Sequence, residues 1–119
     1  GQYCSLPGVP LEKMPGGTVF KEKYQQRYNQ PVQLYAPYAY DAVMVMADAI
    51  QHANSVEPAK YLPEFGKTQY QGVTTKIAFD TKGDLATPAV TIYQDKGGSW
   101  AFVETLGPSE LAAKSRPTD

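Results

Sequence analysis

Nucleophilic chemistry needs a thiol or hydroxyl held beside a base, and this sequence has one cysteine, Cys4, and one histidine, His52. A thiol becomes reactive only near a base or a positive field. Cys4 and His52 lie far apart in sequence, so they read as a small packed residue and a surface histidine at a helix end. The same scarcity argues against a structural zinc site, which draws several Cys or His ligands together. The segment Phe79-Asp-Thr-Lys-Gly-Asp84 places Asp80, Thr81 and Asp84 in a short loop that invites comparison with a calcium site. Calcium loops alternate acidic ligands around a fixed glycine and close on a distant glutamate. That spacing fails here, and a turn with Asp at its start and Gly towards its end accounts for the same residues. Asp41 and Asp48 stand seven apart and share a helix face. No second acidic helix accompanies them, so capping or salt-bridging explains them better than a pair of catalytic carboxylates. A phosphate-binding glycine loop and a Ser/His/Asp set are both missing. The expectation is therefore a protein without enzyme activity, catalytic residues, metal or cofactor.

Tyrosine is the more suggestive residue. Three of the nine, Tyr35, Tyr38 and Tyr40, cluster where a loop enters an apolar helix. An aromatic ring with a hydroxyl tip can line a ligand pocket at such a junction, being apolar on one side and polar at the end. Core packing explains the cluster equally well at this level.

These residues must be held by the elements around them. Pro7, Gly8, Pro10, Pro15, Gly16 and Gly17 make residues 1–17 an irregular connector, opening on a short strand around Gln2–Ser5. From Thr18, a residue type that caps helices, Val19, Phe20, Tyr24 and Tyr28 recur at helical spacing, and Asn29 with Pro31 marks the stop. Residues 32–35 are expected to be extended. A second helix runs from about Pro37 to Ala53, with proline favourably placed in its first turn. Its apolar residues go almost all the way round, which suits a helix between layers of a larger protein. Ser55-Val-Glu-Pro58, with Ser55 as cap and proline at the first helical position, opens a short third helix to about Phe65, distorted by Pro63 and closed by Gly66.

Then the period changes. Val73, Ile77 and Phe79 read as a strand, Asp80–Asp84 as a polar turn, and Ala89–Gln94 as another strand. Asp95-Lys-Gly-Gly98 turns the chain into a third strand over Trp100–Thr105. Beyond Gly107 the tail has no core pattern except a possible helical turn over Glu110–Lys114.

Composition narrows the function. With 42% apolar and 19% charged residues the chain can form a core and does not read as disordered. Eleven basic residues are matched by 12 acidic ones without blocks of either sign, so nucleic acid is not an expected partner. The same balance gives no pull towards anionic membranes. No apolar run spans a bilayer, and no signal peptide is present in this chain.

Four stretches combine into a resemblance. They are Tyr3-Cys-Ser-Leu-Pro-Gly8 with Glu12-Lys-Met-Pro-Gly-Gly17, Tyr35-Ala-Pro-Tyr-Ala-Tyr-Asp-Ala-Val43, Tyr70-Gln-Gly-Val-Thr-Thr-Lys-Ile-Ala-Phe-Asp80, and Lys82-Gly-Asp-Leu85 leading to Tyr93-Gln94. In this order they resemble the C-terminal third of the periplasmic solute-binding proteins of branched-chain amino acid ABC transporters. This is the leucine/isoleucine/valine-binding protein family of type I periplasmic binding proteins. The resemblance covers the chain to about Gly107.

It implies an α/β fold class, the C-terminal part of a two-lobed type I periplasmic-binding-protein fold, with about three helices followed by three short strands. Residues 1–17 would be a connector or hinge segment, 18–107 the C-terminal portion of the ligand-binding domain, and 108–119 a tail. The function implied is the substrate-binding component of an ABC importer for branched-chain or related amino acids, acting by two-lobe closure. A ligand-sensing regulatory domain of the same fold, for amides or other small solutes, is the alternative. The partners implied are a small-molecule ligand of the amino-acid type, a membrane permease, and the missing N-terminal part of the same protein. The location implied is periplasmic or otherwise extracytoplasmic. Tyr35 matches an aromatic wall near the ligand side chain, and Tyr38 is a weaker second pocket residue. A piece of this kind taken alone is expected to cover its orphaned surfaces by self-association.

Overall fold

A computed structural model describes residues 1–110 of the chain; most of the turn expected over Glu110–Lys114, and the tail after it, lie outside the described residues. The order of elements is strand β1 (Tyr3–Pro7), helix α1 (Gly17–Tyr28), helix α2 (Ala36–Ala53), helix α3 (Pro58–Phe65), then strands β2 (Tyr70–Gln71), β3 (Lys76–Ile77), β4 (Val90–Asp95) and β5 (Trp100–Leu106). A single 3-10 turn over Leu11–Lys13 precedes α1. This is the expected mixed α/β pattern, with one strand before the helices as well as strands after them. The chain divides into two compact units, Leu11–Ala86 on one side and Gly1–Pro10 with the residues from Thr87 onward on the other. Of residues 1–17, the first ten fall in one unit and the rest in the other.

The unit that begins with Gly1–Pro10 is an antiparallel sheet in the order β1-β4-β5. The alternation of Val90, Ile92 and their neighbours, with the turn residues Asp95–Gly98, makes β4 and β5 a hairpin. Asp95 Oδ1 accepts the Gly98 N–H at 2.9 Å, and Gly97 and Gly98 both take positive φ. Ile92 pairs with Glu104 but Tyr93 with Phe102, so Val103 is the extra residue of a bulge. β1 lies on the other side of β4, with Tyr3 opposite Gln94 and Pro7 opposite Val90. It reaches two residues beyond the expected Ser5, because β4 offers an edge that local sequence does not reveal. Thr91, 1% exposed, ties this sheet together. Its hydroxyl lies 2.7 Å from the Gly8 carbonyl oxygen, to which it donates, and 2.9 Å from Thr105 Oγ1.

The other unit is helical, closed by a small hairpin. α1 starts one residue before Thr18: Gly16 is the N-cap, without a side-chain cap, and Phe20 N–H bonds its carbonyl. Gly17 lies so close to the Leu11 carbonyl that a Cβ would overlap it, which is why no larger residue opens this helix. Asn29 and Asn54 end α1 and α2 in the left-handed conformation that asparagine tolerates better than most residues. Leu34 and Tyr35 form a turn into α2, so the extended stretch expected over 32–35 stops before them.

α2 buries Pro37, Asp41, Val45 and Ala49, a stripe at every fourth residue. Val43, at 67% exposure, Met46 and Tyr40 stay open, while Tyr38, Met44 and Ile50 are half-buried. α3 carries Pro58 at its start, as expected, but Glu57 rather than Ser55 is its N-cap. Ser55 Oγ instead accepts the Glu57 N–H at 3.1 Å in a local turn. Pro63 sits inside α3, which still runs to Phe65, and Gly66 beyond it keeps a right-handed conformation.

The strand expected over Val73–Phe79 shrinks to Lys76–Ile77, which pairs with β2. Val73 and Thr74 cannot join a ladder because their N–H groups are given to Asp41. Phe79 makes only an isolated bridge to Leu85 across the expected polar turn, where Asp80 Oδ1 accepts from Lys82 and Asp84 N–H.

Replacing Thr91 by valine keeps the shape of a fully buried side chain and removes its hydroxyl. The Gly8 carbonyl loses a donor, and we expect a loss of about 1–2 kcal/mol, read as a lowered urea midpoint with an unchanged m-value.

Candidate functional site

α1 carries Phe20, Tyr24 and Tyr28 on one stripe, one turn apart, and their rings touch in series at centroid distances of 5.9 and 4.8 Å. Phe20 also meets Tyr40 of α2 edge-on at 5.5 Å. These contacts are the T-shaped and tilted geometries that ring quadrupoles favour. Between the two helices and β2 lies an open groove of about 530 Å³, lined by this aromatic stripe and by Tyr70, Gly72 and Val73. Lys23 and Arg27 reach the same groove, and the Arg27 guanidinium stands 5.8 Å from the centre of the Tyr28 ring, within cation–π range.

The floor of the groove is set by a carboxylate. Asp41, 3% exposed, projects from α2 into the four-residue loop between β2 and β3. Oδ1 accepts the Val73 N–H at 2.8 Å; Oδ2 accepts the Thr74 N–H at 2.8 Å and the Thr74 hydroxyl at 2.6 Å. A buried carboxylate is tolerable only when its oxygens are so engaged. Gly72 makes the approach possible: a Cβ there would stand 2.5 Å from Asp41 Oδ2 and 2.9 Å from Ile77 Cδ1. The same loop is held by α1, since the Val73 carbonyl accepts the Gly16 N–H at 3.0 Å. One loop thus fixes α1, α2 and the hairpin.

The residues singled out from sequence fall in different places. Tyr35 is the N-cap residue of α2 and 64% exposed; Tyr38 is half-buried in the first turn. The groove takes in Ala36 and Tyr40 but neither of these two. Asp48 does not join Asp41: its carboxylate lies 3.3 Å from His52 Nδ1 near the exposed end of α2. Cys4 is half-buried on β1, in the other unit from His52. Among the described residues, no three His, Cys, Asp or Glu side chains are grouped so as to hold a metal. No helix among them is long and apolar enough to cross a membrane.

Sequence reasoning missed the grip of Asp41 on Val73 and Thr74. The signal was present: a lone acid on the buried stripe of an otherwise apolar helix needs donors, and Gly72-Val-Thr-Thr75 supplies them.

Residues 18–98 match the family model described as the receptor family ligand binding region. The chain belongs to that family. The type I periplasmic-binding-protein resemblance read from the four stretches above holds in the relatives as well. The leucine-, isoleucine-, valine-, threonine- and alanine-binding protein of Pseudomonas aeruginosa is 27% identical over 94 residues, which are 79% of this chain and 25% of that protein. The crystal structure of a leucine-binding protein, LivK, from Thermotoga maritima superposes with a TM-score of 0.76 at 26% identity, over 93% of this chain and 32% of that one. An ABC transporter substrate-binding protein from Desulfitobacterium hafniense in complex with leucine shares the fold, with a TM-score of 0.67 at 24% identity over 85% of this chain and 30% of that one. This member of the receptor ligand-binding family therefore spans about a quarter to a third of the length of these relatives.

Truncating Asp41 to alanine leaves two N–H groups and a hydroxyl without their acceptor and should lower stability by about 2–4 kcal/mol. Gly72→Ala should lower it by about 1–3 kcal/mol through its overlap with the carboxylate. Because the second effect acts through the first group, denaturant melts of the double variant should fall short of the sum by about 1 kcal/mol. Strict additivity would mean that the cost of Gly72→Ala arises at Ile77 and not at the carboxylate.

Proposed function

We propose that this chain is part of the substrate-binding component of an ABC importer for branched-chain or related amino acids, and that it acts by binding rather than catalysis. The observation that carries the reading is the match to a leucine-binding protein over 93% of the chain, at a TM-score of 0.76. The matched length supports a further step: the rest of a two-lobed fold comes from additional chain of the same protein. A ligand then touches both lobes and favours the closed arrangement by its differential affinity for it. The closed, loaded protein hands its solute to a membrane permease, which puts the work in an extracytoplasmic compartment.

Within this reading Tyr35, with Tyr38 behind it, forms an aromatic edge of the ligand pocket at the head of α2. Its exposure supports this role, since a ring meant to meet a ligand side chain must be open before the ligand arrives. The open side of α2, with Val43 and Met46, is the surface that the remaining chain covers. This chain taken by itself would cover it by self-association. Sedimentation velocity should find dimers or larger species, and a stable monomer that binds no exposed-surface dye would contradict this.

Titration calorimetry of the full-length protein with leucine, isoleucine, valine and small amides tests the main reading. Heat of binding is expected for at least one branched-chain amino acid, and no heat for any amino acid or amide would overturn the assignment. Tyr35→Ala should weaken the binding by roughly 1–2 kcal/mol, about 5–30-fold in Kd, the loss expected for one aromatic contact.

A further inference from the structure

We propose that Asp41 is a positioning residue for ligand binding: by gripping the loop between β2 and β3 it sets the angle at which the head of α2 presents Tyr35 and Tyr38. The proposal rests on the solute-binding reading above and adds to it a residue that touches no ligand. Tyr35 opens α2 and Asp41 follows within about two helical turns. A helix does not bend over so short a distance without a break, so what fixes Asp41 fixes the head.

The grip is directional. Val73 N–H goes to one carboxylate oxygen, while Thr74 N–H and hydroxyl go to the other. Rotation of α2 about its axis, or a slide along it, breaks the set. Pro37, fully buried, pins the helix one turn nearer its start. The loop itself cannot follow α2 freely, because the Val73 carbonyl is bonded to Gly16 at the start of α1. The Phe20 ring against Tyr40 adds a second stop between α1 and α2. Gly72 belongs to the same device, since any Cβ there would push the carboxylate out of line.

A purely structural Asp41 would change stability and leave affinity alone. The two cases separate in a double-mutant cycle on the full-length protein, with leucine as the probe and each variant measured well below its melting temperature. Asp41→Asn is expected to raise Kd roughly 5–20-fold. It should also shrink the effect of Tyr35→Ala to less than about threefold, because a misplaced ring has little left to lose. If Asp41→Asn is not recovered folded, Thr74→Val decides: it removes one bond of the three and should raise Kd about threefold, with Thr74→Ser restoring it. Variants that melt earlier yet keep Kd within about twofold, with the Tyr35→Ala effect intact, overturn the proposal while leaving the solute-binding reading standing. A parent protein that binds no amino acid or amide overturns that reading and the proposal with it.

Discussion

A single buried carboxylate organises the helical unit. Asp41 is the one acid on the inward stripe of α2, between Pro37 and Val45, and it has to find donors or be expelled. It finds three in two consecutive residues of the β2–β3 loop. That demand explains features that otherwise look unrelated. Val73 and Thr74 leave the strand they would extend, Gly72 cannot carry a side chain, and the loop stays close enough for its carbonyl to receive Gly16. Hydrophobic burial is non-directional and would allow α2 several angles on the hairpin; the carboxylate selects one.

What this unit does not do is close its own surface. The sequence puts apolar residues nearly all round α2, and only the stripe from Pro37 to Ala49 is buried. α1 behaves similarly, with Phe20 and Tyr24 half-buried, Val19 and Tyr28 open, and the aromatic groove beside them. A chain of this length buries a smaller fraction of its surface than a larger domain. The exposed faces still exceed what scattered surface residues account for. Membership of a family whose matched relatives are about three times longer offers a physical reason. The open faces are those that a larger fold can cover.

The helices were legible because their signals are local. Helical spacing of Val19, Phe20, Tyr24 and Tyr28, Asn29 at the end of α1, and prolines at the starts of α2 and α3 all act within a few residues. The β4–β5 hairpin was legible for the same reason, through alternation and Asp95-Lys-Gly-Gly98. Errors arose where a distant partner overrode a local preference. Thr18 has the chemistry of a cap, but the start of α1 is fixed by the bond between Gly16 and Val73. Ser55 looks like a cap and makes a turn bond to Glu57 instead. β1 extends because β4 lies beside it, which nothing in Tyr3–Pro7 announces. Asp41 was read as a capping or salt-bridging group, whereas its partners are backbone N–H groups and a hydroxyl over thirty residues away. The family was legible from four stretches in order, none of which carries chemistry alone.

The nine tyrosines divide on the same physical basis. Tyr24, Tyr28 and Tyr40 have rings already engaged with an aromatic neighbour, and such pairs gain their energy within the protein. Surfaces of this kind suit packing. Tyr35 stands open at the start of a helix whose orientation is clamped six residues later. In its proposed role, such a ring, with two rotatable bonds on a fixed helix head, would lose little freedom when a ligand side chain comes against it. The more rigid the clamp, the smaller that loss. If Tyr35 meets the ligand as proposed, a buried charge, which is weak evidence for stability, is well suited to fixing the place of an aromatic contact that it never touches.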